Sequence, residues 1–219
     1  MIAPDEMTLD ELRDALANVL PAHAIFDGWT EQALSGAAAE LGVPADRAAL
    51  CFPGGAVDMI DGWFAAIDLG MTAALPPETI ATMKFRDRIT ALVAARLNIA
   101  AQYPDAMRRA LSILARPKNT AKAAKLGWRA ADAMWRAAGD SSVDFAWYTK
   151  RLTLAAVYAS TMMAWMDDES EGFADTYAFL ARRVEDVMRF ERFKARIKPD
   201  PDRYFSPARF FGRLRYPVR

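Results

Sequence analysis

Fifteen consecutive residues, Leu152 to Met166, carry no charge and are apolar on nearly every side of any helix they could form. A helix that is hydrophobic all round is buried in protein or in lipid. Crossing a bilayer takes about 20 such residues, so the segment is too short to span one and predicts the centre of a helical bundle. The rest of the chain agrees with an all-α fold: apolar residues recur at helical period, proline and glycine mark the breaks, and no alternating run is flanked by hairpin turns. The pattern predicts helices near 8–20, 30–41, 45–51, 55–74, 77–102, 104–115, 120–138, 142–166, 171–195 and 207–215. Pro44, Pro77, Pro104 and Pro207 fall at helix starts, where the missing N–H removes no helical bond. Three parts follow: a head over 1–54, a larger bundle over 55–197, and a basic aromatic tail over 198–219.

The junction within Met134–Arg151 is the richest in chemistry. Gly139 suits the left-handed conformation that closes a helix, and Ser141 followed by Asp144 is a capping-box pattern opening the next. Asp144, Trp147, Tyr148 and Arg151 then share one helical face. Either Trp147 and Tyr148 are core and Asp144 is an N-terminal cap, or the four form a surface of the kind binding hot spots use.

These residues resemble the ubiquinone biosynthesis accessory family usually numbered nine. The resemblance is carried by Arg109-Ala-Leu-Ser-Ile-Leu114, Pro117 and Asn119, then Met134-Trp135, Ala138-Gly139-Asp140, Asp144-Phe145, Trp147-Tyr148-Thr149 and Arg151. It continues through Leu154 to Tyr158, Asp175-Thr176, Phe179-Leu180 and Arg183-Val184 to Met188, and upstream takes in Gly28-Trp29-Thr30, Leu41-Gly42 and Phe52-Pro53-Gly54-Gly55 with Asp58. It implies a TetR-like fold with a helix-turn-helix-like head, and a non-catalytic carrier that presents a quinone intermediate to a membrane-associated hydroxylase. Met134, Asp144, Trp147, Tyr148 and Arg151 are then the partner-binding surface. Leu152, Tyr158, Met162, Trp165 and Phe179 become lipid-binding residues, in a cavity between the helices near 77–102, 142–166 and 171–195. The implied ligand is an isoprenoid lipid or a phospholipid, with no other cofactor. A homodimer through the C-terminal helices is expected by analogy with TetR-like folds.

The alternative that this fold raises is a ligand-sensing transcription regulator, and charge argues against it. Ala37 to Phe52 keeps the spacing of a TetR-type head, but Met1 to Leu75 contains two basic residues, Arg13 and Arg47, against twelve acidic ones. Duplex binding draws its affinity from phosphate neutralisation, and a recognition helix over Pro44–Cys51 would offer Arg47 alone beside Asp46. No nucleic-acid partner is expected.

Nor is a catalytic or metal constellation visible. His23 is the only histidine, Cys51 the only cysteine, and no phosphate loop or nucleophile elbow is present. The carboxylate run from Asp167 to Glu171 sits at a helix junction, where acids favour the next N-terminus. The acidic start, Met1 to Met7, lacks the pattern of a signal or transit peptide, which points to the cytoplasm. The tail points to the inner face of the membrane. Phe210, Phe211 and Leu214 fall on one helical arc beginning at Pro207, with Arg209, Arg213 and Arg215 outside it. That is an interfacial pattern, unless the two phenylalanines pack back onto the bundle or a dimer mate.

Overall fold

Thr8 begins the first helix by a reciprocal cap: its backbone N–H donates to Glu11 Oε2 at 2.8 Å, and its hydroxyl accepts from Glu11 N at 3.3 Å. The computed structural model describes residues 6–140 and 145–197, with side chains over 6–140 and 147–190. These residues form α1 (Leu9–Asp27), α2 (Glu31–Glu40), α3 (Ala45–Cys51), α4 (Ala56–Ala74), α5 (Pro77–Ala81), α6 (Phe85–Ala100), α7 (Pro104–Leu114), α8 (Thr120–Ala137), α9 (Phe145–Met166) and α10 (Ala174–Ile197). Short 3₁₀ turns precede α8 and α10, and no strand occurs among the described residues. The expected all-α class is observed. The helix expected over 207–215 lies outside the described residues.

Two boundaries depart from the sequence pattern. The sequence pattern ends the first helix at Leu20, yet it continues to Asp27 with Pro21 inside it. The cost of an internal proline, about 3 kcal/mol, is offset because Leu16, Leu20, Pro21 and Ala24 are all buried. Conversely, the single helix expected over 77–102 is broken at Thr82–Lys84, where neither glycine nor proline marks a stop. Arg88 stabilises the break. It donates to Ala81 O at 3.2 Å, to Met83 O at 3.0 Å and to Ala138 O at 3.0 Å, satisfying carbonyls that a continuous helix would have paired.

The chain divides into two compact units, Met1–Val184 and Glu185–Arg219, so the boundary expected near residue 54 does not separate units. Helix α1 packs on α4 and α7 as well as on α2 and α3, which merges the three-helix head with the rest of the first unit. His23 ties α1 to α2, its Nε2 2.8 Å from Glu40 Oε2. Gly36 leaves room for that ring, since a Cβ there would stand 2.6 Å from His23 Nδ1.

Helix α4 runs through the middle of this unit, burying Met59, Ile60, Trp63, Ile67 and Met71 and packing on α1, α6, α7 and α8. It also turns carboxylates inward. Asp68 meets Arg96 of α6, which is 1% exposed, and lies 3.5 Å from Arg129 Nε of α8. Asp61 meets Arg129 and Lys122, the latter at 3.0 Å. Burial works against ionisation of Asp61, but its bonds to Lys122 and Arg129 outweigh it and hold the carboxyl below the usual range. Replacing Asp68 by alanine is expected to cost about 3–5 kcal/mol, because it strands the buried Arg96 guanidinium. Urea unfolding of Asp68→Ala measures this, and a loss under about 1 kcal/mol would show that Arg96 reaches water or another acceptor once the carboxylate is gone.

Candidate functional site

Helix α8 ends as its glycine requires. Gly139 has φ +88°, its N–H donates to Arg136 O at 3.0 Å, and Asp140 N donates to Trp135 O at 3.0 Å, a Schellman pairing that turns the chain toward α9. The Ser141 cap and Asp144 lie outside the described residues. From the turn onward α8 and α9 pack against each other, and one side chain organises the corner.

Arg151 is that side chain, and it is not a surface residue: it is 2% exposed. Its Nε donates to Asp132 Oδ1 at 2.6 Å, and its Nη1 donates to Asp140 Oδ2 and to Trp147 O, each at 3.2 Å. The guanidinium carbon stands 4.0 Å from the centre of the Trp147 ring. Lys150 closes the network, 2.7 Å from Asp140, and accepts Trp135 Nε1–H at its carbonyl. The physical reason for the burial is charge balance, since two aspartates reach Arg151 from one side and an indole face covers the other. Met134, expected on the same surface, is fully buried.

What remains outside is aromatic. Trp147 is half-buried and packs edge-on to Tyr148 at 4.8 Å and obliquely to Trp128 of α8 at 5.4 Å. Tyr148 is 60% exposed. Of the five residues expected to form the partner surface, Trp147 and Tyr148 line it, Arg151 supports it from below, Met134 is buried in α8, and Asp144 is outside the described residues. Trp128, Asp132 and Lys150 were missed. The signal for two of them was present, because Trp128, Asp132 and Trp135 follow helical spacing on one face of α8.

The expected lipid-binding residues are not gathered in one place. Met162 and Trp165 are core, Tyr158 lies under Arg96 with ring and guanidinium 5.0 Å apart, and Phe179 is half-buried beneath Arg183 at 5.3 Å. Leu152 is 66% exposed. Helix α9 is therefore not the bundle's centre: it buries one face and leaves Tyr148, Leu152, Ala156, Ala159 and Met163 along the other. Trp165 Nε1 is buried without a hydrogen-bond partner. An apolar groove of about 430 Å³ lies between α4 and α6, lined by Ala74, Leu75, Ala91, Ala95 and Ile99 among others. Asp168 has a structural task. Its carboxylate accepts from the hydroxyls and backbone N–H groups of Ser170 and Thr176 at 2.5–2.8 Å, which caps α10 and holds its pKa far below the usual carboxylate range.

If Arg151 is the keystone of the corner, Arg151→Ala should cost about 2–3 kcal/mol by removing its charge-assisted bonds to Asp132 and Asp140 and its cover of the Trp147 ring, although Arg136 and Lys150 still pair the two carboxylates. Arg151→Lys should recover less than half of that loss, since an ammonium cannot bridge both carboxylates and cover the indole. Urea midpoints of the two variants decide it; a fully stable Arg151→Lys would reduce the residue to a simple charge.

Comparison with known proteins bears on this corner. Residues 120–191, from the start of α8 into α10, match the COQ9 family profile, so Trp128, Trp147, Tyr148 and Arg151 all fall inside the match. The chain is 31% identical over 201 residues to the human mitochondrial ubiquinone biosynthesis protein COQ9, covering 89% of this chain and 62% of that protein. It is 27% identical over 187 residues to the Drosophila melanogaster protein of the same name, covering 84% and 57%. The chain thus spans about three fifths of the length of the curated relatives it matches, which are described as mitochondrial. Among solved structures it resembles the TetR transcriptional regulator of Nitrosomonas europaea, with TM-score 0.65 and 24% identity over 81% of this chain and 98% of that one, which establishes the TetR-like fold. With a match to the COQ9 family profile from α8 into α10 and about 30% identity along most of its length, the chain is similar to the COQ9 ubiquinone biosynthesis proteins.

Proposed function

We propose that this chain is a non-catalytic accessory protein of ubiquinone biosynthesis, which docks a quinone hydroxylase on the α8–α9 corner and offers it a lipid-borne intermediate. The observation that carries the reading is the Trp128–Trp147–Tyr148 face. A half-exposed aromatic cluster fixed from below by a buried, doubly paired arginine is preorganised, and preorganised aromatic anchors are what binding hot spots use. Its position within the COQ9 domain supports the role that the relatives' names describe.

A bound lipid is supported by Trp165. Its buried, unpartnered N–H is costly unless an acceptor reaches it, and a quinone carbonyl is such an acceptor. A homodimer is supported by the outer face of α9, where Leu152 and Met163 are 66% and 69% exposed. Native mass spectrometry of the full chain is expected to show a dimer carrying isoprenoid or phospholipid; lipid-free monomer would remove both statements.

The regulator reading is weaker still once the head is seen folded. Arg13 donates to Cys51 O and Asp58 O, and Arg47 to Met7 O, so both bases of the head brace its own backbone. Outward from α3 stand Ala45, Asp46, Ala49 and Leu50, none of which can bind a phosphate.

Tyr148→Ala should abolish pull-down of the quinone hydroxylase while changing stability by less than about 1 kcal/mol, because the ring is mostly in solvent. Undiminished pull-down would move the partner surface elsewhere. Membrane contact is assigned to the tail residues Arg209, Phe210, Phe211, Arg213, Leu214 and Arg215, all outside the described residues. Removing residues 199–219 should end flotation with anionic vesicles, and unchanged flotation would withdraw that assignment.

A further inference from the structure

A concave site that shares no residue with the aromatic corner lies elsewhere on the first unit. A cleft of about 650 Å³ opens where the α1–α2 turn, the start of α4 and the end of α7 converge. Arg109, Arg116 and Lys118 line it, all three exposed, and none of their side chains makes a hydrogen bond or ion pair among the described residues. That contrasts with Arg96, Arg129, Arg151, Lys122 and Lys150, each of which has found an aspartate. The one acid lining the cleft, Asp27, is bonded to Gln32 at 2.8 Å instead of to a base. Three cations therefore converge on an open space whose other wall, Asp27 to Thr30 and Gly54 to Val57, comes from the strongly acidic first 75 residues.

The first turn of α4 faces the same space. Ala56 and Val57 line it, no side chain caps this helix, and their N–H groups have no acceptor among the described residues. Asp58 turns back to accept Gly54 N at 2.8 Å and leaves those two donors free. The walls are fixed: Trp29 Nε1 donates to Ala106 O at 3.0 Å, and Asn119 Nδ2 to Ile113 O at 2.8 Å. The cleft is thus formed before any ligand arrives.

We infer that this cleft binds a phosphate-terminated ligand. A phosphate monoester or diphosphate has enough charge and acceptor oxygens to meet three cations and two helix N-terminal N–H groups at once, which a single carboxylate has not. The volume falls within the range of small-molecule sites and exceeds what phosphate alone would fill. Trp29, Val57 and Ile113 give the remainder of the ligand apolar walls. Two sources share this chemistry, a soluble phosphorylated metabolite and a phospholipid headgroup. The inference stands independently of the hydroxylase reading.

Amide NMR on the full chain tests it, with inorganic pyrophosphate and, separately, dihexanoyl phosphatidic acid below its micelle concentration as probes. At least one is expected to shift the Ala56 and Val57 amides saturably. Arg109→Gln alone should weaken that probe about tenfold, and the triple variant with Arg116→Gln and Lys118→Gln should abolish saturation. All three side chains are exposed, so the variants should keep the wild-type fold and melting temperature. Tighter binding of pyrophosphate identifies a soluble ligand, and tighter binding of the phosphatidic acid a headgroup. Absence of saturable shifts with both probes, or a triple variant binding within about threefold of wild type, would overturn the inference.

Discussion

Asp68 sits where α4, α6 and α8 meet, and two guanidinium groups converge on its carboxylate, those of Arg96 and Arg129. Buried ion pairs add little net stability against well-packed apolar side chains, but a mispaired one is expensive, so such pairs act mainly on specificity. An apolar α4 could accept neighbours in several registers. With Asp61 and Asp68 two turns apart, only an arrangement that delivers Arg96 from α6 and Arg129 from α8 leaves no buried charge alone. The other face of Arg96 lies against Tyr158, which extends the constraint to α9. From α9 the same logic recurs, with Arg151 reaching back to Asp132 of α8 and to Asp140 after it. Two arginine–aspartate knots thus position the helix that carries the aromatic corner.

The helices themselves were legible because their signals are local. Gly139, Pro77, Pro104 and the apolar periods of α4 and α8 lie in the sequence, and the structure places breaks and faces there. What was not legible depends on distant partners. Pro21 reads as a stop until the burial of its neighbours is known, and the break before α6 depends on Arg88 reaching carbonyls on both sides of it and one at the end of α8. The corner shows the same division. Spacing identified Trp147, Tyr148 and Arg151 as one face, but periodicity does not say which member of a face is charge-paired underneath it. The aspartates that bury Arg151 lie 19 and 11 residues away on the other side of a turn.

A TetR-like fold and a regulator's function separate at the head of this chain. The three helices keep the architecture, yet each arginine of the head bonds backbone carbonyls: Arg13 those of Cys51 and Asp58, Arg47 that of Met7. Burial also raises the Cys51 thiol above its ordinary pKa, as suits a small core residue beside Leu9 O and Arg47 O. A head so braced has its cations consumed by folding. The architecture can be retained for packing after the surface chemistry that gave it another use is gone.

Helix α9 poses the remaining physical question, because its outward face is nearly as apolar as its inward one. Tyr148, Leu152, Ala156, Ala159 and Met163 follow one another at three- and four-residue intervals, a continuous stripe of the kind that monomeric proteins seldom leave bare. A single contact need not cover it all. Fifteen residues separate Tyr148 from Met163, about 22 Å along a helix, so the two ends can serve different neighbours. The Tyr148 end adjoins the fixed aromatic cluster and is geometrically suited to a specific partner. The Met163 end is small and flexible side chains, Ala156, Ala159 and Met163, which tolerate close helix approach and fit an adaptable surface such as a second copy of the helix. The proposed hydroxylase contact and the proposed dimer contact can therefore coexist on one helix, because Tyr148 and Met163, at the two ends of the stripe, stand about four turns apart.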